Sequence, residues 1–433
     1  MKSIKVIELF AGVGGFRLGL EQYNKDLFDF VFTNQWEPGK KIQHAFDCYV
    51  NNFGSENAYN EDISKVKYDI PEDCDLLVGG FPCQDYSVAA TNAKGIEGKK
   101  GVLWWEISWI LEHKKPKMVL LENVDRLLKS PSNQRGRDFA IMLMNMHNLG
   151  YDVEWQVINA ADYGMPQRRK RVFIFAKLRE LSINENIERK EISLDVINVN
   201  SIFERDFPVI EKNIKKPNLF LEFVDTFQNE LHVTSNYNLG KFFTKGFLIN
   251  GYLYQYEVEV NKNLISSYKV LNDILLNDAD IDKKYVLNAS QLKKMKELKG
   301  AKKKERIKPN GEHYIYSEGK MSLNDEIYNP GRTMLTSESS LNRSTHIIKF
   351  KEGNRNRYRF ITPVEAERLN CFPDNWTSSI ESEKMRYFCM GNALVVDIIT
   401  KLANQIETRI ELFGNNKSIK VTKKADFNNK KNY

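Results

Sequence analysis

Residues 77–87, with the sequence LVGGFPCQDYS, decide the fold that the chain is predicted to adopt. An apolar strand runs into two glycines, then a Pro-Cys pair, then a polar loop. In an open α/β sheet the reacting groups lie just beyond the carboxyl ends of the strands, and Cys83 holds that position. A thiol there can act as a nucleophile if its surroundings favour the thiolate, whereas an arbitrary cysteine is more often a buried apolar residue. The other motifs of the chain decide between these interpretations.

Length and composition leave room for two domains, or for one domain with a large insertion. The 433 residues have an ordinary globular composition, a formal net charge of +7 and no apolar run of membrane-spanning length. The five cysteines are unevenly spaced and form no CxxC pair, which indicates neither a disulfide framework nor a zinc site. No signal-peptide pattern precedes the first strand. We therefore expect a cytoplasmic protein that needs no metal and is not bound to a membrane.

Lysines are concentrated in residues 293–308 and again in residues 417–431. Charge runs of this kind are typical of a solvated surface, and they also suit a polyanionic partner. The basic tail, residues 415–433, is predicted to be disordered.

A glycine-rich turn follows the first predicted strand, residues 4–10. The sequence AGVGGF, residues 11–16, leads into an amphipathic helix over residues 17–23, which is the strand–turn–helix order of a nucleotide-type cofactor site. The spacing is not GxGxxG, and no lysine-serine pair for a triphosphate is present. Taken alone, the turn is as consistent with an ordinary tight turn as with a ligand site.

Polar residues follow the next two strand ends. A predicted strand over residues 28–34 ends in Gln35, Trp36 and Glu37, and an acidic turn follows at Asp62. Carboxylates at strand ends suit ribose hydroxyls and an adenine amino group, and a tryptophan can stack on a purine. The alternative is that these carboxylates cap helices or face solvent.

Two further strand ends carry charged residues. Glu122 follows the apolar run of residues 117–121, at the sheet edge expected for Cys83, where a carboxyl can hold or donate a proton to a ring nitrogen. Four cations, residues 168–171 (RRKR), stand between two apolar strands. Arginines so close to a strand edge suit phosphate or base-edge contacts.

The regular alternation of strands and helices stops near residue 178 and returns at about residue 331. The residues between are rich in Asn, Lys, Glu, Ile and Tyr, and we interpret them as a second, smaller domain. In the returning part, Thr362 is expected to cap a helix that has Pro363 at its first position, with Glu365 completing a capping box.

Together, and in this order, the motifs resemble those of the DNA (cytosine-5)-methyltransferases of bacterial restriction–modification systems. The ordered series is FAGVGGF, GGFPCQDYS, ENV, DYGMPQRRKRVFIF, RFITPVEAERLNCFP and GNALVV. It covers most of residues 1–178 and 331–400 and leaves the middle region unmatched. In that family the middle region is the target-recognition domain, which varies with sequence specificity.

The resemblance implies a fold and a division of the chain. The fold is a Rossmann-like, S-adenosylmethionine-dependent methyltransferase of the α/β class, a mostly parallel sheet with helices on both faces, with an inserted smaller domain. The implied units are a catalytic and cofactor-binding domain over 1–178, a target-recognition domain over 179–340, a return to the catalytic domain with a hinge over 341–414, and the basic tail.

The resemblance also implies a role for each matching catalytic residue. Cys83 would add to carbon 6 of a cytosine flipped out of the duplex, so that carbon 5 takes the methyl group of S-adenosylmethionine. Glu122 would hydrogen-bond ring nitrogen 3, while Arg169 and Arg171 would brace the base, its backbone and Glu122. Loss of the carbon-5 proton and of Cys83 then releases 5-methylcytosine, with S-adenosylhomocysteine as the other product.

The implied binding residues form two sets. Those for the cofactor are Phe10, Gly12, Gly14, Gln35, Trp36, Glu37, Asp62, Ile63, Pro82, Leu103, Asn392 and Ala393. Those for DNA or its bases are Gln84, Ser87, Arg168, Arg332 and Thr336. The family's ribose-binding acid precedes the tryptophan, where this chain has glutamine, so the ribose contact stays open between Gln35 and Glu37.

Double-stranded DNA is the implied partner of a monomer that protects host DNA, with a separately encoded cognate restriction endonuclease. Three alternatives are an RNA cytosine methyltransferase, a catalytically inactive DNA-binding homologue and an unrelated thiol hydrolase. The long basic middle region favours DNA, and retention of Cys83, Glu122 and the arginines disfavours an inactive protein. None of the six histidines lies in a strand-edge motif, which disfavours the hydrolase.

Overall fold

A ten-stranded sheet organises the chain. The computed structural model describes residues 3–81, 102–181, 201–212, 219–307 and 311–414. The strands of the sheet stand in the order β3-β2-β1-β4-β5-β7-β6-β10-β11-β9, and three two-stranded sheets, β12–β8, β13–β14 and β15–β16, accompany it. The strands are β1 Ile4–Leu9, β2 Phe28–Asn34, β3 Ala58–Tyr59, β4 Leu76–Gly80, β5 Met118–Val124, β6 Tyr151–Asn159, β7 Lys170–Leu178, β8 Val209–Glu211, β9 Leu219–Glu222, β10 Lys245–Ile249, β11 Tyr252–Tyr256, β12 Val258–Val260, β13 Lys302–Ile307, β14 His313–Glu318, β15 Ile347–Glu352 and β16 Arg355–Phe360.

Helices connect and cover these strands. They are α1 Gly15–Asn24, α2 His44–Phe53, α3 Ile63–Val66, α4 Val102–Lys114, α5 Arg137–Asn148, α6 Phe223–Thr226, α7 Glu230–Asn236, α8 Ala289–Lys299, α9 Pro363–Leu369, α10 Glu383–Asn392 and α11 Val396–Gly414. In the described part of the chain, no helix combines the length and apolar character that a membrane crossing requires.

The first five strands of the sheet, β3-β2-β1-β4-β5, are mutually parallel, and each later strand pairs antiparallel with its neighbour. The two inner strands β4 and β5 are buried almost throughout, and their apolar residues pack on both faces of the sheet. In β4, for example, Leu76 and Val78 pack into one hydrophobic cluster and Leu77 packs into the cluster on the opposite face. The predicted α/β fold is confirmed.

The end of the chain returns to its beginning. Helix α11 packs along α1, and Gly19 lies at their crossing. A Cβ atom at Gly19 would lie 2.6 Å from Ile399 Cβ, so only glycine allows the two helices to approach this closely. Helix α11 therefore completes the layer that covers the N-terminal half of the sheet.

Part of the middle region belongs to the central sheet. Strand β10 pairs with β6, and β11 and β9 extend the same edge. The segment from Leu219 to Tyr256 thus adds three strands to the sheet, although it lies within the limits predicted for the target-recognition domain. Those limits remain a prediction.

The capping box predicted before α9 is confirmed, whereas strand β5 is longer than predicted. The capping box at α9 is present: Glu365 N donates to Thr362 Oγ1 at 3.2 Å, and Thr362 N donates to a Glu365 carboxylate oxygen at 2.7 Å. The strand predicted over 117–121 continues to Val124, because antiparallel pairing with β7 extends it. Glu122 therefore lies within β5 and not beyond it.

Candidate active site

A cavity of about 650 Å³ opens at the carboxyl ends of β1, β2, β4 and β5. Its volume is in the range of about 300–1,000 Å³ that is usual for cofactor sites. Residues from distant parts of the sequence form its wall: Phe10, Ala11, Gly12, Val13, Gly15, Phe16, Asn34, Gln35, Trp36, Glu37, Pro38, Ala45, Asp62, Ile63, Gly80, Phe81, Leu103, Glu122, Asn123, Val124, Arg171, Phe388, Cys389, Gly391, Asn392, Ala393 and Leu394. Ten of the twelve predicted cofactor residues are among them. The exceptions are Gly14 and Pro82.

The glycine turn bends sharply between β1 and α1. Phe10, Gly12 and Gly14 have φ values of 54°, 58° and 84°, in the left-handed region that favours glycine. A Cβ atom at Gly14 would lie 2.2 Å from the Phe53 ring, so this residue shapes the turn without lining the cavity. Gln35 stabilises the turn from β2, since its Oε1 accepts a hydrogen bond from Gly12 N at 2.7 Å.

Two carboxylates stand in the cavity wall after β2 and β3. Asp62 caps α3, accepting from Ser64 N at 2.9 Å, and still lines the cavity. The backbone of Glu37 is held by Gln43, whose Oε1 accepts from Glu37 N at 2.7 Å and whose Nε2 donates to Glu37 O at 2.9 Å. Neither contact uses the Glu37 carboxylate. Asp62 therefore caps a helix and also lines the cavity, so its two proposed roles do not exclude each other.

An ion pair between neighbouring strands lies at the inner end of the cavity wall. Arg171 Nε is 2.7 Å from Glu122 Oε1, and the two side chains are 17% and 11% exposed. In the β5–β7 ladder Glu122 is opposite Phe173 and Arg171 is opposite Val124, so the pair is diagonal on one face. Strand β5 also holds the residue that directly follows β4, since Asn123 Nδ2 donates to Phe81 O at 2.9 Å.

Arg169 occupies a different place from Arg171. Its side chain is buried outside the cavity wall, where it donates to Met334 O at 3.2 Å and to Gly391 O at 2.9 Å. Burial, together with the nearby Arg171, lowers the pKa of the Arg169 guanidinium to about 9. Arg169 thus ties together two backbone segments from the C-terminal half of the chain, and its predicted role in bracing the base stays a prediction.

The predicted DNA-contacting residues are spread over different environments. Arg168 is exposed, while Thr336 packs its backbone against Gly391, where a Cβ atom would lie 2.4 Å from Thr336 N. Arg332 is engaged internally: it binds Asp325 through two hydrogen bonds of 2.5 and 3.1 Å. It also donates to the carbonyls of Ser344 and Thr345. These contacts give Arg332 a structural role, and its contact with DNA stays a prediction.

Several predicted residues lie outside the described residues. They are Pro82, Cys83, Gln84 and Ser87, together with the tail over 415–433. The four cysteines that are described are poor nucleophiles, because burial raises the pKa of every one of their thiols. For Cys74 the pKa is about 11, and for Cys48 it is about 12. None of these four described cysteines is therefore a thiolate near neutral pH.

Asn34, Phe388 and Cys389 line the cavity but are not among the site residues predicted from the sequence. Asn34 lines the cavity at the end of β2 and donates to Glu61 O at 2.8 Å, which ties the strand end to the turn before α3. Phe388 and Cys389 reach the cavity from α10, just before the GNALVV motif. Helical spacing back from Asn392 would have found these two.

The chain is similar to proteins of one family over nearly its whole length. Residues 4–408 match the family model described as C-5 cytosine-specific DNA methylase. The chain is 47% identical to Type II methyltransferase M.Sau3AI of Staphylococcus aureus, over 94% of this chain and 96% of that protein. It is 35% identical to Type II methyltransferase M.HhaI of Haemophilus parahaemolyticus, over 42% of this chain and 52% of that protein. The S. pombe Dnmt2 methyltransferase has a similar fold, with a TM-score of 0.56 and 17% identity over 94% of this chain and 99% of that chain.

Proposed function

The chain belongs to the C-5 cytosine-specific DNA methylases, an S-adenosylmethionine-dependent family, and from this premise we propose how its residues carry out the reaction. The substrate would be one cytosine within a specific sequence of double-stranded DNA, and Cys83 would form a covalent adduct with it. The observation that carries this proposal is the Glu122–Arg171 pair, which faces the cavity at the sheet edge where β4 leads toward Cys83.

The cavity has the chemistry that S-adenosylmethionine requires. Trp36 would stack on the adenine, Asp62 would accept from its amino group, and the glycine turn would lie against the methionine portion. We assign the ribose hydroxyls to the carboxylate of Glu37. Gln35 already uses its Oε1 to accept from Gly12 N, whereas the carboxylate of Glu37 has no part in the contacts that fix its backbone.

S-adenosylmethionine supplies the methyl group when it is bound, and the protein makes cytosine able to accept it. The Cys83 thiolate would add to carbon 6, which places negative charge on the ring. Glu122 would hold a proton at ring nitrogen 3 and so neutralise that charge. Carbon 5 would then form its bond to the methyl group while the bond between that group and the sulfonium sulfur breaks, which leaves S-adenosylhomocysteine. Carbon 5 would subsequently release its proton to a base, and the bond between carbon 6 and the Cys83 sulfur would break to restore the thiolate.

Arg171 and Arg169 would act through their positions. Arg171 fixes the direction of the Glu122 carboxylate, since it is held at 2.7 Å across the ladder. Arg169 joins the loop around Met334 to helix α10 near Gly391 and so holds the cavity-lining end of that helix against the loop. Because the reacting carbons of a stacked cytosine are inaccessible, the base would be flipped out of the duplex.

In the cell the protein would act as a monomer and protect host DNA from a cognate restriction endonuclease encoded separately. The RNA alternative is disfavoured by the family match over residues 4–408 and by the identity to a Type II methyltransferase along nearly the whole chain.

Transfer of a tritiated methyl group tests this proposal. The protein is incubated with labelled S-adenosylmethionine and either unmethylated genomic DNA or RNA, and the DNA product is analysed by conversion sequencing. We expect label in DNA alone, at one recurrent sequence context. Label in RNA alone would establish the alternative substrate, and label in neither would indicate an inactive binding protein.

A further inference from the structure

A basic hairpin stands apart from the hydrophobic core. Strands β13 and β14 pair along their whole length, from Lys302 opposite Glu318 to Ile307 opposite His313. Of the hydrophobic clusters formed by the described residues, none includes a side chain of either strand. Ile307 and Ile315 are 63% and 70% exposed. Burial of apolar surface therefore does not account for the stability of this hairpin, and an isolated two-stranded hairpin is only marginally stable.

Arg343 anchors the base of the hairpin. Its guanidinium donates to Leu298 O at 3.0 Å and Gly300 O at 2.6 Å, before β13, and to Gly319 O, after β14. It also lies 3.3 Å from a carboxylate oxygen of Glu318. One side chain thus joins the segment before β13 to the end of β14, so the base of the hairpin is fixed in position although its strands lack a core.

The two faces of the hairpin differ in charge. Successive side chains of a strand point to opposite faces, and cross-strand partners share a face. The first face carries Lys302, Lys304 and Arg306 beside Tyr316 and Tyr314. Its only acidic residue, Glu318, is paired with Arg343 and accepts from Tyr316. Arg306 lies over the Tyr316 ring, 3.9 Å from its centre, which orients the guanidinium.

The second face is balanced. It carries Lys303, Glu305 and Ile307, opposite Ser317, Ile315 and His313. Glu305 lies 2.8 Å from His313 Nδ1, so the anion has a partner on its own face. The hairpin therefore has one cationic face and one face on which positive and negative charges offset each other.

We propose that the β13–β14 hairpin contacts the DNA duplex through the face that carries Lys302, Lys304 and Arg306. This inference rests on the proposed function, since it names the surface that holds the DNA substrate. Charge complementarity identifies the occupant: three cations at alternate positions of a rigid strand match the phosphates of a duplex, and a two-stranded ribbon has the width of the major groove.

The hairpin is connected to the active-site edge through a short series of contacts. From Arg343 the chain continues to Ser344 and Thr345, whose carbonyls accept from Arg332. The residue before Arg332, Gly331, accepts from Arg168 N at 2.8 Å. DNA bound to the hairpin would thus be held by a segment that is hydrogen-bonded to the backbone of Arg168, three residues before Arg171.

A pair of charge reversals tests the proposal. Lys304→Glu and Lys303→Glu change the net charge by the same amount at neighbouring positions of one strand, but on opposite faces. Binding of each full-length variant to an unmethylated DNA duplex is measured as a function of salt concentration. For Lys304→Glu we expect an affinity loss of about tenfold or more and a salt slope smaller by about 1, whereas Lys303→Glu should stay near wild type.

Equal effects of the two reversals, or no effect of either, would overturn the proposal, because both results assign the lysines to a general electrostatic field or to solvent. Arg306→Ala, which introduces no anion, provides a second arm and should also reduce the slope. Binding is measured without turnover, so these results are independent of the methyl-transfer assay. A wild-type protein that binds duplex DNA but transfers no methyl group would contradict the proposed function and leave the assignment of the hairpin intact.

Discussion

Arg171 lies diagonally across the β5–β7 ladder from Glu122, with its Nε 2.7 Å from Glu122 Oε1. Both side chains line the cavity, and the antiparallel pairing of two buried strands fixes their separation. A carboxyl group held in this way has one preferred orientation, which is what a shared proton between it and a planar ring nitrogen requires. This relationship motivates the first two predictions.

Glu122→Gln should lower kcat by about 100-fold or more, since a carboxamide cannot hold a proton at the ring as a carboxyl can. The affinity for S-adenosylmethionine and the free energy of unfolding should change little. Glu106→Gln is a matched control, because Glu106 is also nearly buried and lies 2.7 Å from Lys67, outside the cavity wall. Steady-state kinetics of both variants provide the measurement, and near-normal turnover of Glu122→Gln would remove Glu122 from its proposed role.

Arg171→Ala should lower kcat by about tenfold or more and leave the Michaelis constant for DNA nearly unchanged, because the orientation of Glu122 is lost. Arg168→Ala, at an exposed neighbouring position, should instead raise the Michaelis constant for DNA. The idea that Arg171 acts through Glu122 predicts that the double variant Arg171→Ala/Glu122→Gln is little worse than Glu122→Gln alone. Fully multiplicative losses would contradict it.

Cys83→Ser should abolish methyl transfer and retain binding of S-adenosylmethionine. Cys74→Ser is the control, since the Cys74 thiol donates to Pro71 O and a hydroxyl can do the same. With DNA that contains 5-fluorocytosine, the wild-type protein should form a complex that resists denaturation, because fluorine cannot leave carbon 5 as the proton does. Gel electrophoresis detects this complex, and its formation by Cys83→Ser would show that another residue is the nucleophile.

Glu37→Gln should raise the dissociation constant for S-adenosylmethionine by about tenfold, because hydrogen bonds to a charged group contribute roughly 1.5–3 kcal/mol. Gln35→Glu should have a smaller effect, since it keeps the oxygen that accepts from Gly12 N. Isothermal titration of the cofactor compares the two variants. A larger loss in Gln35→Glu than in Glu37→Gln would transfer the ribose contact to Gln35.

A buried carboxyl beneath the glycine turn should make stability depend on pH. Burial raises the pKa of Glu8 from 4.5 to about 8 in the folded protein. The folded state keeps the proton that the unfolded state releases above about pH 4.5, so this stabilisation is complete below that pH and is lost as the pH rises through about 8. Urea unfolding across this range should show the free energy of unfolding falling with pH. Glu8→Gln should flatten the profile, while Glu56→Gln, at an exposed position, should keep the wild-type slope.

The sequence alone determined the class of fold and the order of its motifs. Uninterrupted apolar runs such as those of β4 and the first part of β5 predict strands that are covered on both faces, and the structure places hydrophobic clusters on both sides of them. The capping box at Thr362 was equally local, because every contact in it lies within four consecutive residues. The antiparallel strands β9, β10 and β11 were not predicted, since their partners are supplied by β6 and by one another.

Tertiary structure alone decided what the neighbouring arginines do. Arg168 is exposed, Arg169 is buried against the carbonyls of Met334 and Gly391, and Arg171 binds Glu122. In the sequence these arginines are equivalent cations between two apolar strands. Their different roles come from partners that are distant along the chain, and a guanidinium is directed by whichever carboxylate or carbonyl the fold brings within hydrogen-bonding distance.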